Sequence, residues 1–249
     1  MLLAVDVGNT QILIALYDED TIVDHWRLAT NAERTTDEYA VLIRQFIGDV
    51  AIDGVAISSV VPRATAALRG VSTRYFKHEP VVVEPGTKTG MPILIDNPRE
   101  VGADRIVNAI GAYDIYGGPT IVVDFGTATT LDAVSAKGEY LGGVILPGIE
   151  ISLDALFARA DRLSRVELIE PRSVIGKSTA EALQSGAIYG FSAQVDGICA
   201  LMKDELGECT VVGTGGLSAL IGRYSSEIQH LDPWLTLHGL RLVYERNAR

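Results

Sequence analysis

Cysteine is nearly absent: Cys199 and Cys209 are the only two in 249 residues. That is too few for a disulfide framework or for a zinc site of about four ligands, and a reducing cytoplasmic setting is the expectation. An excess of positive charge is also missing. The 21 Lys and Arg against 32 Asp and Glu leave a net charge of −11, so no diffuse basic surface exists to collect nucleic-acid phosphates or anionic lipid. Any bound phosphate has to be held locally. Long hydrophobic runs are lacking too, since the apolar stretches that begin at Met1 and Thr120 meet Asp6 and Asp124, far short of the roughly 20 residues that cross a bilayer. No basic stretch precedes the first run and no small-residue cleavage site follows it, so residues 1–5 read as a first strand and export is not expected. The histidines, His25, His78, His230 and His238, share no short spacing, and no metal cluster is expected of them. What is present is 47% apolar and 21% charged residues, the composition of a globular chain long enough for one large domain or two modest ones.

Hydrophobic patterning and turn signals predict three strands at 2–7, 11–17 and 21–28, which form an antiparallel meander. A helix follows from about Thr36, capped by Thr35 or Thr36, striped by Tyr39, Leu42, Ile43 and Phe46 and stopped at Gly48. Strand 54–58, helix 63–76, strand 80–83 and helix 103–113 then alternate, the signature of parallel crossovers in an α/β sheet. After the Gly117-Gly118-Pro119 loop the pattern restarts. Thr120-Ile-Val-Val-Asp124-Phe-Gly126-Thr127 repeats the form of Leu2-Leu-Ala-Val-Asp6-Val-Gly8-Asn9, 118 residues further on. The simplest explanation is two homologous halves, 1–114 and 115–249. The second half continues with strands at 129–135 and 140–145 and helices at 149–158 and 179–206. A strand at 210–212 and a glycine-rich turn lead into a helix at Leu217, and a last strand and helix fall between 231 and 245.

Asp6-Val7-Gly8-Asn9-Thr10 lies at a turn between two strands. Gly8 can take positive φ and let an anion approach, Asn9 and Thr10 offer donors, and Asp6 offers a hard oxygen for Mg²⁺. A Gly-Asn pair also suits a plain hairpin turn. The second loop, Asp124-Phe-Gly-Thr127-Ala-Thr-Thr130, repeats the Asp-x-Gly arrangement with more hydroxyls, and two such loops can clamp one polyphosphate. Gly213-Thr-Gly215-Gly216-Leu-Ser218 follows an apolar strand and is expected to open a helix whose N–H groups face a nucleotide. It is not a dinucleotide fingerprint, because the third glycine is missing. Gly102-Ala103-Asp104-Arg105 begins a helix. Asp104 there suits the helix dipole or an ion pair with Arg105, and equally suits a general base beside a cation that holds an anionic acceptor. Gly142-Gly143 and Leu146-Pro147-Gly148 read as a strand crossing and a turn that can also line a pocket. The helix 179–206, with Ile188, Phe191, Val195 and Ile198, suits either a core or a dimer face.

Taken with Asp96-Asn-Pro-Arg-Glu-Val-Gly102 and Lys177-Ser-Thr179, these motifs make the sequence resemble the type III pantothenate kinases of the acetate and sugar kinase, Hsc70 and actin superfamily. The resemblance runs through almost the whole chain. It implies an α/β fold of two duplicated ribonuclease H-like (actin-like ATPase) domains with a central interdomain cleft. It also implies ATP-dependent phosphorylation of pantothenate to 4′-phosphopantothenate, the first step of coenzyme A synthesis. By the same resemblance Asp104 is the proton acceptor and Gly102, Ala103, Asp104 and Arg105 hold pantothenate. Asp6, Val7, Gly8, Asn9, Thr10 and Gln11 with Thr127, Gly215 and Gly216 bind ATP, Asp6 meets Mg²⁺ through ATP, and Asp124 ligates a monovalent cation, K⁺ or NH₄⁺. The implied assembly is a homodimer with a shared active site, in which Thr179 reaches the pantothenate pocket of the neighbouring subunit. Nucleic acid and membrane are not expected partners. One departure stands out: many members carry Tyr where this chain has Ile95, which leaves an apolar wall in place of a phenol. The rival readings are a non-catalytic regulator of the same fold and a kinase for another small hydroxy-acid or amide.

Overall fold

The computed structural model describes residues 1–160 and 163–248. They form two compact units, Met1–Asp114 with Trp234–Arg249, and Ile115–Pro233.

The first unit is built on strands β1 (Leu2–Val7), β2 (Gln11–Asp18), β3 (Thr21–Ala29), β4 (Gly54–Ser59) and β5 (Val81–Val82), in the order β3-β2-β1-β4-β5. The first three are antiparallel, whereas β1 pairs β4 and β4 pairs β5 in parallel. Central β1 and β4 are almost wholly buried and mostly apolar, whereas edge strand β3 has only exposed and half-buried residues. Helix α1 (Thr36–Ile47) starts at a capping box: Thr35 Oγ1 accepts from Glu38 N–H and the Glu38 carboxylate accepts from Thr35 N–H. It buries Tyr39, Ala40, Ile43 and Ile47 and ends at Gly48, where φ is +60°. Helix α2 (Pro62–Val71) opens on proline, as N1 allows, and runs into a π turn at Ser72–Phe76. Helix α3 (Ala103–Tyr116) begins at the segment singled out for chemistry.

The second unit carries β6 (Thr120–Phe125), β7 (Ala128–Val134), β8 (Tyr140–Pro147), β9 (Thr210–Thr214) and β10 (His230–Leu231), in the order β10-β9-β6-β7-β8. Read from the other edge, this is the topology of the first sheet, with two antiparallel pairs followed by two parallel ones. The duplication inferred from the Asp-x-Gly repeat is thus present strand for strand. It reaches the register as well: Asp6 stands beside Ser58 on β4, and Asp124 stands beside Thr214 on β9. Helices α4 (Ile149–Arg159) and α5 (Thr179–Leu206) follow β8, and a single-turn helix α6 (Ser218–Ile221) follows β9. Ile188 and Val195 of α5 enter the core with Ile121, Val123, Phe125 and Leu131, and Phe191 and Ile198 pack on its rim. Both cysteines are free and buried, as core thiols.

The last helix, α7 (Leu235–Asn247), differs from the expected division of the chain. Adjacency in the chain puts 115–249 in one half, but α7 packs on β1, β4 and β5 of the first sheet. Its tight seat on α3 depends on glycine. A Cβ on Gly239 would fall on the Val107 carbonyl group, and one on Gly111 would lie 2.6 Å from Leu235 O. Gly239→Ala is therefore expected to destabilise the protein by about 1–3 kcal/mol, read as a lower urea midpoint at unchanged m value. A midpoint equal to that of the wild type would show that the two helices separate without cost.

Candidate active site

At the C-terminal end of β1 the chain turns through Asp6, Val7, Gly8, Asn9, Thr10 and Gln11. Val7 is a core residue, whereas Asn9, Thr10 and Gln11 are exposed, so the tip of this hairpin offers its polar groups to solvent. Gly8 N–H donates to Gln11 O at 2.9 Å, and Thr30 Oγ1 donates to Gly8 O at 2.7 Å. Gly8 does not adopt the positive φ expected of it. Glycine is favoured there by crowding instead, since a Cβ would lie 3.2 Å from Gln11 O.

The end of β4 lies next to this turn. Val60 N–H donates to Val7 O at 3.1 Å, and the Ser58 hydroxyl, at the position beside Asp6, is fully buried with no hydrogen-bond partner among the described residues. Val60 also faces the start of α3, because its Cγ1 would be 3.7 Å from a Cβ on Gly102. The same Cβ would strike Asp104 Oδ1, so glycine at 102 is what lets the carboxylate occupy its place. Arg105 N–H donates to Asp104 Oδ1 at 2.8 Å. Burial raises the Asp104 carboxyl above the usual carboxylate range, and this outweighs the opposing pull of the Arg105 N–H and the Arg105 charge. A raised carboxyl next to a cationic residue is the condition of a general base set closer to neutral pH.

A cavity of ≈ 760 Å³ opens against this point. One wall is Ser59, Val60, Ile106 and the segment 98–103, which includes Arg99 and Glu100, and the other is formed by the segment 83–87 with Thr89 and Ile93. Asp104 and Arg105 follow on the same helical turn as Ala103. The segment 83–93 was missed in the sequence. Its only signals are the Pro85-Gly86 turn and the isolated hydroxyls of Thr87 and Thr89, neither of which has a helical or strand period.

In the second unit, Asp124 and the Gly213–Ser218 turn come together although about 90 residues separate them. Gly215 has φ +92°, and a Cβ there would strike Asp124 Oδ1 and lie 2.7 Å from Phe125 N. Leu217 N–H donates to Phe125 O at 3.3 Å, and Ser218 Oγ donates to Gly215 O at 2.7 Å. Thr127 and Gly216 are exposed, and nothing lies within 4 Å of a Cβ on Gly216. The expected helix after the glycines is only the four residues of α6, too short for a substantial dipole. The turn instead presents backbone N–H groups beside a carboxylate. Thr179 is exposed in the first turn of α5, after the N-cap Ser178.

A sequence model of type III pantothenate kinases matches residues 2–201. The chain belongs to this family. It is 56% identical to a type III pantothenate kinase of Streptomyces griseus, over 100% of this chain and 99% of that protein. Among solved structures it resembles component A of (R)-2-hydroxyglutaryl-CoA dehydratase from Acidaminococcus fermentans, with a TM-score of 0.58 and 13% identity over 100% of this chain and 99% of that one. A ROK hexokinase from Thermus thermophilus gives a TM-score of 0.51 and 14% identity, over 100% and 99% of the two chains. These last two likenesses concern the fold, which is the duplicated actin-like ATPase architecture expected from the sequence. The family uses a nucleotide, and both halves present residues that fit one. Among the described residues the buried hydroxyls of Ser58 and Thr214 have no hydrogen-bond partner, and each stands beside the aspartate next to the end of its unit's central strand. Oxygen donors of this kind suit a hydrated hard cation and phosphate oxygens.

Proposed function

We propose that the protein transfers the γ-phosphoryl group of ATP to the primary hydroxyl of pantothenate, giving 4′-phosphopantothenate and ADP at the entry to coenzyme A synthesis. Family membership over the whole chain supports the reaction. The observation that carries the site assignment is the raised carboxyl of Asp104, which follows Gly102 and Ala103 in the chain where these two line a cavity large enough for a small hydroxy-acid amide. In the transfer a bond forms between the pantothenate oxygen and the γ-phosphorus, the bond from that phosphorus to the β,γ-bridging oxygen breaks, and ADP departs. Asp104 accepts the hydroxyl proton and later releases it to water. Arg105 supplies positive charge for the anionic acceptor, and the apolar surface of Val60, Val83 and Ile93 excludes water from the acceptor chain.

Asp6 to Gln11, Thr127, Gly215 and Gly216 hold ATP in this reading, with Asp6 toward Mg²⁺ and Asp124 toward K⁺ or NH₄⁺. When bound, these cations offset the repulsion between the triphosphate and a chain of net charge −11. The duplicated halves 1–114 and 115–249 remain the proposed evolutionary units, even though α7 packs with the first. Among the described residues no helix is long and apolar enough to cross a membrane, and action in the cytoplasm is part of the proposal. A coupled assay of ADP release with and without pantothenate, in K⁺ and in Na⁺, tests the reading. ADP release that ignores pantothenate would refute it.

The proposal includes a homodimer in which exposed Thr179 serves the neighbouring pocket. If Asp104→Asn and Thr179→Ala subunits are each nearly inactive, a mixed dimer contains one pocket with both lesions and one with neither. Co-refolded mixtures should then regain part of the wild-type activity. Mixtures shown to contain heterodimers but no more active than either parent would exclude a shared site.

A further inference from the structure

We infer that Asn247 and Arg246, at the end of α7, are positioning residues for the acceptor, because they fix the loop that forms the second wall of the cavity; this rests on the reading of that cavity as the pantothenate pocket. Lys88 N–H donates to Asn247 Oδ1 at 3.1 Å, and Asn247 Nδ2 donates back to Lys88 O at 2.9 Å. One side-chain amide thus satisfies both backbone groups of one residue, as a neighbouring strand would. A second Asn247 N–H donates to Val243 O at 2.8 Å, so the amide is anchored to its own helix. Arg246 Nη1 donates to Thr89 O at 2.5 Å. Gly90, with φ +74°, runs so close that a Cβ would lie 3.0 Å from Arg246 Cζ.

The loop has reason to need this support. β5 ends at Val82, and the loop's first turn is closed by its own bonds: Thr87 Oγ1 donates to Val82 O at 2.7 Å, Glu84 N–H donates to Thr87 Oγ1 at 3.2 Å, and Thr87 N–H donates to Glu84 O at 3.0 Å, whereas further on the Thr89 hydroxyl donates to Met91 O at 3.2 Å and accepts from Met91 N–H at 3.3 Å. Residues 88–90 lie beyond that turn, and the α7 contacts begin there. Lys88 sits between Thr87 and Thr89, both on the cavity wall, so holding its peptide groups sets where those two face the acceptor. Arg246 is exposed and Asn247 half-buried, so substitutions there remove the brace without opening the core.

The test is Asn247→Ala, with KM and kcat measured for both substrates and amide hydrogen exchange followed across residues 84–92. The expected result is a KM for pantothenate raised about tenfold, a kcat and a KM for ATP within about twofold of wild type, and faster exchange confined to this loop. Arg246→Met should raise the same KM less, and Arg246→Lys, which keeps a donor for Thr89 O, should restore it. Unchanged exchange, an unchanged KM for pantothenate, or a fall in kcat that accompanies a higher KM for ATP overturns the inference. Faster exchange in a protein whose wild type leaves pantothenate unphosphorylated counts against the functional reading instead.

Discussion

Asp104→Asn is expected to lower kcat on the order of 10²- to 10⁴-fold while the KM for ATP stays within about threefold of wild type. The amide fills the same space beside Gly102 and Arg105 but cannot accept the hydroxyl proton. Steady-state kinetics and nucleotide binding measured side by side decide the matter, and turnover near that of the wild type would remove Asp104 from the mechanism. The same substitution has a second signature. Burial raises the folded-state pKa of Asp104, so the neutral acid is the form that folding favours. Its contribution to stability is complete below the unfolded carboxyl's range and is lost as pH rises through the raised folded value. At pH 7 the ionised, desolvated carboxylate therefore costs stability, and Asp104→Asn should have a higher Tm than wild type. That gain should shrink as the pH falls toward about 4, where the unfolded carboxyl also binds its proton. The acid limb of wild-type kcat should lie above the range of an ordinary carboxylate for the same reason.

Gly215→Ala should reduce kcat/KM for ATP by about two orders of magnitude, the loss that follows a shift of about 1 Å in a positioned group. The new methyl group would strike Asp124 Oδ1 and the Phe125 backbone in a segment already at φ +92°, so both the aspartate and the turn must move. The companion Gly216→Ala has open space around its Cβ and should match the wild type in thermal stability. Circular dichroism on both variants separates a displaced site from a lost fold. If Gly215→Ala binds ATP as the wild type does, the Asp124 turn is not part of the nucleotide site.

Much of this arrangement was legible because the chain repeats itself. A strand ending in Asp-x-Gly occurs twice, and the repeat of Asp6 by Asp124 points to two sheets of one topology. Helix starts carried equally local marks, such as the Thr35 and Thr36 hydroxyls at the head of α1, where Thr35 is the cap. The affiliation of α7 carried none. Leu235, Leu237, Leu240 and Val243 declare an apolar face, but an apolar face does not say which sheet covers it, and adjacency in the chain pointed to the wrong one. The helix expected after the glycines is present as α6, but glycine turns precede helices of any length, and this one is a single turn that runs on into a 3-10 turn at Gly222–Tyr224. The cavity wall at 83–93 was invisible for a different reason: its placement comes from Asn247 and Arg246, about 160 residues away, and no local period records that contact.

The most direct test of the central claim is product analysis from a single turnover, with enzyme in excess over ATP and with pantothenate and other small hydroxy-acid amides present together. The proposed chemistry predicts one phosphate monoester, on the primary hydroxyl of pantothenate, in an amount equal to the ADP formed, and its loss in Asp104→Asn. Transfer to a different acceptor, or ADP formed with free phosphate and no ester, would contradict it.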